Sequence, residues 1–536
     1  MAVLAESRLE DDVNEKGLGD VGGGGVGIIV KKPGDDPAAA VVLADAIRRE
    51  HEMTFRQALR LYPAAIGWSA FVSIGVIMLA FDPQILGGFF ATPRFEKDFG
   101  YYYQPDDEYI ISAPWQSGLS LGNPIGQVFG ALVASYPMDR FGRKRTFGAC
   151  VALTGALVFI QFFARALTTL LVGELLGGLV LGCYVVIAPA YASEVCPLAL
   201  RGHLTSYVNL CFVIGQLLGS GVTAATENLG THWAYSIPFC LQWFWVLVIL
   251  PGMFFVPESP WWLVRQGRRA DAEAVLRRLA SSSSSADHGD AADHGGGAGV
   301  DVDVAATLAV ITETDRLAQA LEAGSTGIYM INFITVFFRR GGLPTSTAFD
   351  MSIGFLGTGF VGTLVSWFLI LRWGRRTLIL AGLVGLATLM LLIGVLDCVP
   401  EQGGGDSLDW AEVSLLLVWN FVYDLSIGPI CFVIISECSA TRVRSKSIAV
   451  CTAAQATLGI VMTVAIPYLI NADQVNARGK IGFFFGGLTV LCLVWTFFRV
   501  PETAGRTYEE LDLMFERRVP ARQFRDYKLE GLAGDE

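Results

Sequence analysis

The run Asp139-Arg140-Phe141-Gly142-Arg143-Lys144-Arg145 stands between two apolar stretches, about Ile110–Tyr136 and about Thr146–Phe163. At ~1.5 Å per residue, stretches of roughly 18 residues or more match the ~30 Å hydrocarbon core of a bilayer. A basic loop between two such stretches marks a hairpin of membrane helices with its turn on the cytoplasmic side, where Lys and Arg are retained. The same loop returns later as Gly374-Arg375-Arg376, again between apolar stretches. Ser193-Glu194 is likewise answered by Ser436-Glu437, and Pro257-Glu258-Ser259 by Pro501-Glu502-Thr503. Three short matches in one order, each at a corresponding helix end, argue for a duplicated unit of six helices and hence a parallel-repeat transporter.

Working outward, spanning segments are expected at about Pro63–Phe90, Ile110–Tyr136, Thr146–Phe163, Thr169–Ala192, Ser206–Ala225 and Ser236–Val256. A second set follows at about Gly327–Phe338, Phe349–Leu371, Thr377–Leu396, Trp410–Ile435, Ser447–Ile470 and Ile481–Phe498. The 536 residues are 53% hydrophobic and 17% charged, and the mean hydropathy is +0.49, which excludes an ordinary soluble protein. Continuous hydropathy containing Gly and Pro excludes a barrel of short alternating strands. Further basic clusters after segments six (Arg265, Arg268, Arg269), eight (Arg372, Arg375, Arg376) and ten (Arg442, Arg444, Lys446) put both termini in the cytoplasm.

The net charge of -11 resides largely in the tails and the mid-chain loop, so nucleic acid is not an expected partner. The ten cysteines lie mostly in apolar runs (Cys183, Cys211, Cys431, Cys451) without paired metal-ligand spacing, and imply neither a disulfide framework nor a metal site. The acidic start, with Glu10, Asp11 and Asp12, is unlike a cleavable leader, so the first membrane helix is expected to direct insertion. The expected organisation is a disordered cytoplasmic tail over 1–60 and a six-helix bundle over 61–256. A cytoplasmic linker over 257–326, a second bundle over 327–500 and a cytoplasmic tail over 501–536 complete it. Within the linker, Pro260–Leu279 reads as an amphipathic helix, and Ser281–Gly299 as a disordered Ser/Asp/His/Gly insert. The stretch after Arg518 reads as short and polar.

Ionisable groups at membrane depth face protein or water, because each otherwise costs several kcal/mol. Asp82 in segment one and Glu174 in segment four are therefore candidate proton carriers. The competing account places Asp82 at the outer boundary beside Pro83 and lets Glu174 snorkel from a helix end near Arg165. If both line one cavity, burial and like charge disfavour a second negative charge and let them share a proton. Asn209 and Gln216 lie seven residues apart on one face of segment five, and Gln455 lies in segment eleven. Such amides suit a hydroxyl-rich ligand, or serve as interhelical glue. In segment ten, Asp424 precedes Gly428-Pro429 and Phe432; a mid-helix Gly-Pro gives a gate or a static kink.

The glycines 118, 122, 126 and 130 recur every fourth residue and point to close helix packing. Gly357-Thr358-Gly359-Phe360-Val361-Gly362 has dinucleotide-fingerprint spacing but lies inside a membrane helix with no preceding strand, and is rejected. His288 and His294 sit in the Ser/Gly insert and are not taken as metal ligands. At the cytoplasmic end, Glu194 with Arg143 and Arg201, and Glu437 with Arg375 and Arg444, read as a latch whose charges pair in one state and part in another. No nucleophile, metal or cofactor constellation appears, so enzyme activity is not expected.

Asp139-Arg-Phe-Gly-Arg-Lys-Arg145, Pro257-Glu-Ser-Pro260 and Pro501-Glu-Thr-Ala-Gly-Arg506 resemble the signature loops of the sugar porters of the major facilitator superfamily, over about His51 to Tyr527. Ala188-Pro-Ala-Tyr-Ala-Ser-Glu-Val-Cys-Pro-Leu-Ala-Leu-Arg201, Tyr207-Val-Asn-Leu-Cys211 and Tyr508-Glu-Glu-Leu-Asp512 are similar to the fungal α-glucoside (maltose-type) proton symporter branch. The resemblance implies an all-α major facilitator fold of two six-helix bundles with a cytoplasmic helical domain, in a monomeric, multi-pass carrier of the plasma membrane. It implies proton-coupled uptake of an α-glucoside by alternating access, with no cofactor. Asp82 and Glu174 become the proton-coupling carboxylates, and Asn209, Gln216, Gln455, Phe432 and Tyr329 face the sugar. Gly428, Pro429 and Asp424 form the gate, and Asp139, Glu258 and Glu502 join the latch.

Three departures stand out. Leu79 occupies a position that usually carries a second acid, Ala504 replaces the usual Lys, and segment seven, Gly327–Phe338, is only about 18 Å long as a helix. The resemblance implies that roughly a few tens of residues are missing before Gly327, through a skipped exon or a natural isoform. A hexose or other sugar facilitator, a transport-impaired isoform or paralogue, and a sugar sensor remain the alternatives.

Overall fold

A computed structural model describes residues 53–103, 108–280, 345–398, 405–438, 444–470 and 480–506, then 510–511, 514, 517, 519–525 and 527. Segment seven, with Tyr329, and the Ser/Gly insert lie outside the described residues. The short helix α1 (Phe55–Leu61) enters through a capping box between Thr54 and Gln57 and leads into α2 (Pro63–Phe89). After α3 (Pro93–Phe99) and the strands β1 (Tyr101–Tyr103) and β2 (Glu108–Ile110) come α4 (Ala113–Phe141), α5 (Arg143–Phe162) and α6 (Leu167–Val195). The first bundle closes with α7 (Leu198–Thr226) and α8 (Trp233–Gly252). The second comprises α11 (Thr345–Trp373), α12 (Arg375–Leu396), the pair α13 (Gly405–Leu425) and α14 (Ile427–Cys438), α15 (Arg444–Ile470) and α16 (Ile481–Arg499).

Ten spans among the described residues are long and apolar enough to cross a bilayer. The 29-residue α4 stands beside them, its apolar character diluted by Ser117, Asn123 and Gln127. The antiparallel hairpin β1–β2, which pairs Tyr102 with Tyr109, is an unforeseen addition to an otherwise helical fold.

Gly spacing decides how α4 packs. A Cβ at Gly126 or Gly130 would strike the Leu175 or Leu179 carbonyl of α6, and one at Gly178 or Gly182 would strike the Asn123 or Gln127 carbonyl of α4. The two backbones therefore touch reciprocally, as small residues permit. Gly118 meets nothing within 4 Å and is not part of this contact.

Between the bundles α15 lies along α4 and α6, while α11 and α14 lie against α7. The largest buried apolar cluster centres on the first bundle but takes in Phe432, Ile448, Ala449 and Ala453 of the second. The expected single helix over Pro260–Leu279 is instead two, α9 (Pro260–Arg265) and α10 (Arg269–Leu279). Gly267 between them adopts φ 73°, a left-handed turn that ends the first helix. The stretch after Arg518 is less purely polar than its composition suggested. Phe524 buries against Leu511 and Met514, and the Arg522 guanidinium lies 4.6 Å over the Phe498 ring.

Candidate functional site

Asp82 sits in α2 one residue before Pro83, a helix-interior proline, and is 1% exposed; Glu174, on α6, is 0% exposed. Both are enclosed by protein, so the Glu174 side chain does not extend from its helix end to water. Their carboxyls adjoin across a single amide, that of Gln161. Asp82 is surrounded by amides: Asn123 donates to Oδ2 at 2.7 Å, and Gln242 and Gln161 donate to Oδ1 at 2.6 and 3.1 Å. The same Gln161 Nε2 lies 3.0 Å from Glu174 Oε1, so one amide bridges the two acids. Gln127 Nε2 donates in turn to Asn123 Oδ1 at 2.6 Å, which holds Asn123 with its NH2 toward Asp82. No amide reaches Glu174 Oε2. Four helices, α4, α5, α6 and α8, thus converge on one residue of α2. Leu79, one turn earlier, is buried in the apolar core and adds no charge.

The amides Asn123, Gln161 and Gln242 were not singled out from sequence. They carried the same signal as Asn209, an amide within an apolar helix, but only the folded bundle shows that they share one partner.

A second polar group joins the halves. Asn209 of α7 donates through Nδ2 to Asp424 Oδ1 of α13 at 3.0 Å and to Thr363 Oγ1 of α11 at 3.3 Å. The helix of segment ten breaks at Ser426, between α13 and α14, because Pro429 has no N–H for the Leu425 carbonyl. Gly428 makes room there: a Cβ would stand 3.0 Å from Asn209 Oδ1. One turn on, Phe432 stacks on Phe212 of the first bundle at 5.6 Å between ring centroids. Gln216 is buried in α7, whereas Gln455 is half-buried on α15.

At the basic end the repeated motifs build the same structure twice. Gly142 and Gly374, with φ of 93° and 79°, turn the chain into α5 and α12. Glu258 Oε1 accepts the backbone N–H groups of Arg143 and Lys144 at 2.9 and 3.2 Å, and Glu502 accepts those of Arg375 and Arg376 at 2.9 and 3.1 Å. Both carboxylates therefore cap helix N-termini, where unpaired N–H groups and the helix dipole favour an anion. Burial nevertheless pushes the Glu258 carboxyl above its ordinary 4.5, against the pull of the backbone N–H donors of Ser259, Lys144 and Arg143.

Arg143 pairs with Glu194 at 2.9 Å with both side chains fully buried, and Arg375 pairs with Glu437 at 3.2 Å. Each pair closes within its own bundle. Contact across the halves comes instead from Ser445 Oγ, 3.0 Å from Asp139 Oδ1, and from the Arg375 guanidinium lying against Gly202. Thr503 of the repeated Pro-Glu motif donates to Glu437 Oε2 at 2.6 Å. Arg201 is buried at the start of α7, and the Arg444 side chain lies outside the described residues. Among the described residues no three His, Cys, Asp or Glu side chains gather as a metal site.

Two matched bundles around buried acids and amides define a multi-pass membrane carrier. The Sugar (and other) transporter family model matches residues 68–515, and the chain belongs to that family. It is similar to the general alpha-glucoside permease of Saccharomyces cerevisiae, 32% identical over 546 residues, which cover 96% of this chain and 85% of the relative. It is also similar to the maltose permease MAL61 of that yeast, 34% identical over 518 residues covering 91% and 82% of the two chains.

The fold is that of the major facilitator superfamily. The proton:xylose symporter XylE bound to 6-bromo-6-deoxy-D-glucose superposes with a TM-score of 0.64 at 20% identity, over 84% of this chain and 99% of that one. A partially occluded inward-open form of XylE from E. coli gives 0.62 at 19% identity, over 83% and 100%. The protein is a membrane transporter of the sugar-transporter family and not an enzyme.

Proposed function

We propose that the protein is a monomeric plasma-membrane carrier that takes up an α-glucoside such as maltose together with a proton. The observation that carries this reading is the buried Asp82–Glu174 pair bridged by Gln161. Two adjoining carboxylates away from water cannot both hold a full negative charge without a large penalty. Asp82 takes three amide N–H bonds and Glu174 one, so Asp82 is the better-solvated anion and Glu174 holds the proton, donated toward Asp82. Similarity to an alpha-glucoside permease and a maltose permease supports the substrate class.

Sugar would bind between the bundles against Asn209, Gln216, Gln455 and Phe432, with Tyr329 as a further contact. Rocking of the bundles exchanges access, with Gly428-Pro429 and Asp424 as the gate. The basic end is the cytoplasmic one, and both termini lie there. Opening it separates Ser445 from Asp139 and Arg375 from Gly202, while the Arg143–Glu194 and Arg375–Glu437 pairs keep each bundle rigid.

Uptake of labelled maltose by cells expressing the full chain, with a pH electrode in the unbuffered medium, tests this. The expected result is sugar entry with alkalinisation of the medium. Entry without alkalinisation reduces the protein to a facilitator, and no entry of any sugar removes the transport reading for this chain.

A further inference from the structure

The Asn209–Asp424 contact carries more than a link between halves. The Asn209 amide has two N–H bonds, and the structure aims both at the second bundle, one to Asp424 Oδ1 at 3.0 Å and one to Thr363 Oγ1 at 3.3 Å. An ionised carboxylate accepts hydrogen bonds and donates none. Turning the amide over would set Asn209 Oδ1 against Asp424 Oδ1, oxygen on oxygen, so the carboxylate selects one of the two amide orientations. Asn209 and Asp424 are 3% exposed each, so the bond between them is enclosed by protein. Gly428 leaves the amide its room, since a Cβ there would lie 3.0 Å from Asn209 Oδ1 and 3.1 Å from Nδ2. With both N–H groups of the amide engaged, Oδ1 is left as its acceptor.

We propose that Asp424 is a positioning residue that locks the Asn209 amide with its oxygen toward the sugar, so that Asn209 accepts a hydrogen bond from one sugar hydroxyl and does not donate one. The proposal rests on the reading of Asn209 as a sugar-facing residue. Its consequence is specificity: the site requires a hydroxyl that donates at one position of the sugar, and it rejects an acceptor of similar size there. Thr363 supports the same orientation through the second N–H. Because Asn209 and Asp424 stand on different bundles, this orientation exists only while α7 and α13 are together.

Replacing a sugar hydroxyl by fluorine keeps an acceptor and removes the donor, so a series of monofluorinated maltose analogues reads the direction of the bond. Affinity is measured on the purified full-length protein in detergent, alongside maltose. In the wild type one position is expected to lose about tenfold or more on fluorination, because a buried acceptor is left without its donor. In Asp424→Leu, close to isosteric and unable to accept, only the longer contact to Thr363 still favours this orientation, and the loss at that position falls to within about threefold. Asp424→Asn, which can face Asn209 either way round, shows a similar fall and decides the matter if the Leu variant does not fold.

A fluorine profile unchanged in both variants, or no sensitive position in the wild type, overturns the proposal. Asn209→Ala separates the two levels of the argument. If it weakens maltose binding while the Asp424 variants keep the wild-type profile, only the positioning role falls. If it binds maltose as the wild type does, the sugar-facing reading of Asn209 falls as well.

Discussion

Removing Arg143 should unfold this protein more readily than removing its repeat counterpart Arg375, although the two occupy the same place in the same motif. Arg143 and Glu194 are 0% exposed at 2.9 Å, whereas Arg375 and Glu437 are 14% and 4% exposed at 3.2 Å. Breaking a fully buried pair by taking one partner costs about 3–5 kcal/mol. Arg375 is partly hydrated, and Glu437 retains the Thr503 hydroxyl at 2.6 Å, so Arg375→Ala should cost about 1–3 kcal/mol, the range for a hydrogen bond to a charged group. Coupling should follow the same order. Arg143→Ala with Glu194→Ala should together cost less than the sum of the two singles by about 1.5 kcal/mol or more, because both singles break the same buried bond. Equilibrium unfolding of detergent-solubilised protein, followed by tryptophan fluorescence, gives all the values. Equal losses for Arg143→Ala and Arg375→Ala, or full additivity of the Arg143–Glu194 double variant, would show that burial does not set the strength of these pairs.

Glu174→Gln removes the titrating group while keeping its size, so counterflow of sugar should survive while sugar-driven alkalinisation disappears; retained alkalinisation would refute the assignment. Gln161→Leu strips one amide bond from each acid and is expected to lower active uptake about tenfold or more at unchanged surface expression. Gly142→Ala places a side chain at φ 93° and ψ 167° and against the Glu258 carboxylate, and should lose about 1–3 kcal/mol in the same unfolding assay. For Glu258 the folded carboxyl titrates above its ordinary 4.5, so the folded state binds more protons than the unfolded one just above that pH. Its contribution therefore favours folding at low pH and is lost as pH rises through that window. Wild type minus Glu258→Gln stability should accordingly fall as pH rises from about 4.5, and a difference that rises with pH would reverse the argument.

Long-range order was legible in the chain because a bilayer imposes a simple rule: a helix must be apolar for roughly 18 residues or more and its basic loops stay on one side. That rule placed α2, α4 to α6, α8, α11, α12, α15 and α16 within a few residues of their observed ends, but it began α7 at Ser206 where the helix starts at Leu198, and it ran α13 and α14 together. The duplicated Gly-Arg, Ser-Glu and Pro-Glu motifs marked the same cap and ion pair in each half. Gly267 and the β1–β2 hairpin were not legible, since short polar connections carry no such constraint. The role of Glu258 was only half legible: its sign and position suggested a charge pair, but its partners are the backbone N–H groups of α5, which no side-chain pattern records.

By itself the sequence determined that the chain crosses a membrane repeatedly in two related halves, that segments one and four each carry an acid within an apolar stretch, and that Gly428-Pro429 interrupts the hydrogen-bond ladder of segment ten. Apolar length, charge bias and a missing proline N–H are local properties, and the chain writes them out in order. Only the tertiary structure decided that Asn123, Gln161 and Gln242 meet at Asp82, and that Asn209 reaches Asp424 and Thr363 in the other half. It also decided that the two ion pairs close within bundles rather than across them. Those outcomes depend on how far each helix is rotated and how closely its backbone approaches the next, which packing sets through contacts such as the glycines of α4 against the carbonyls of α6.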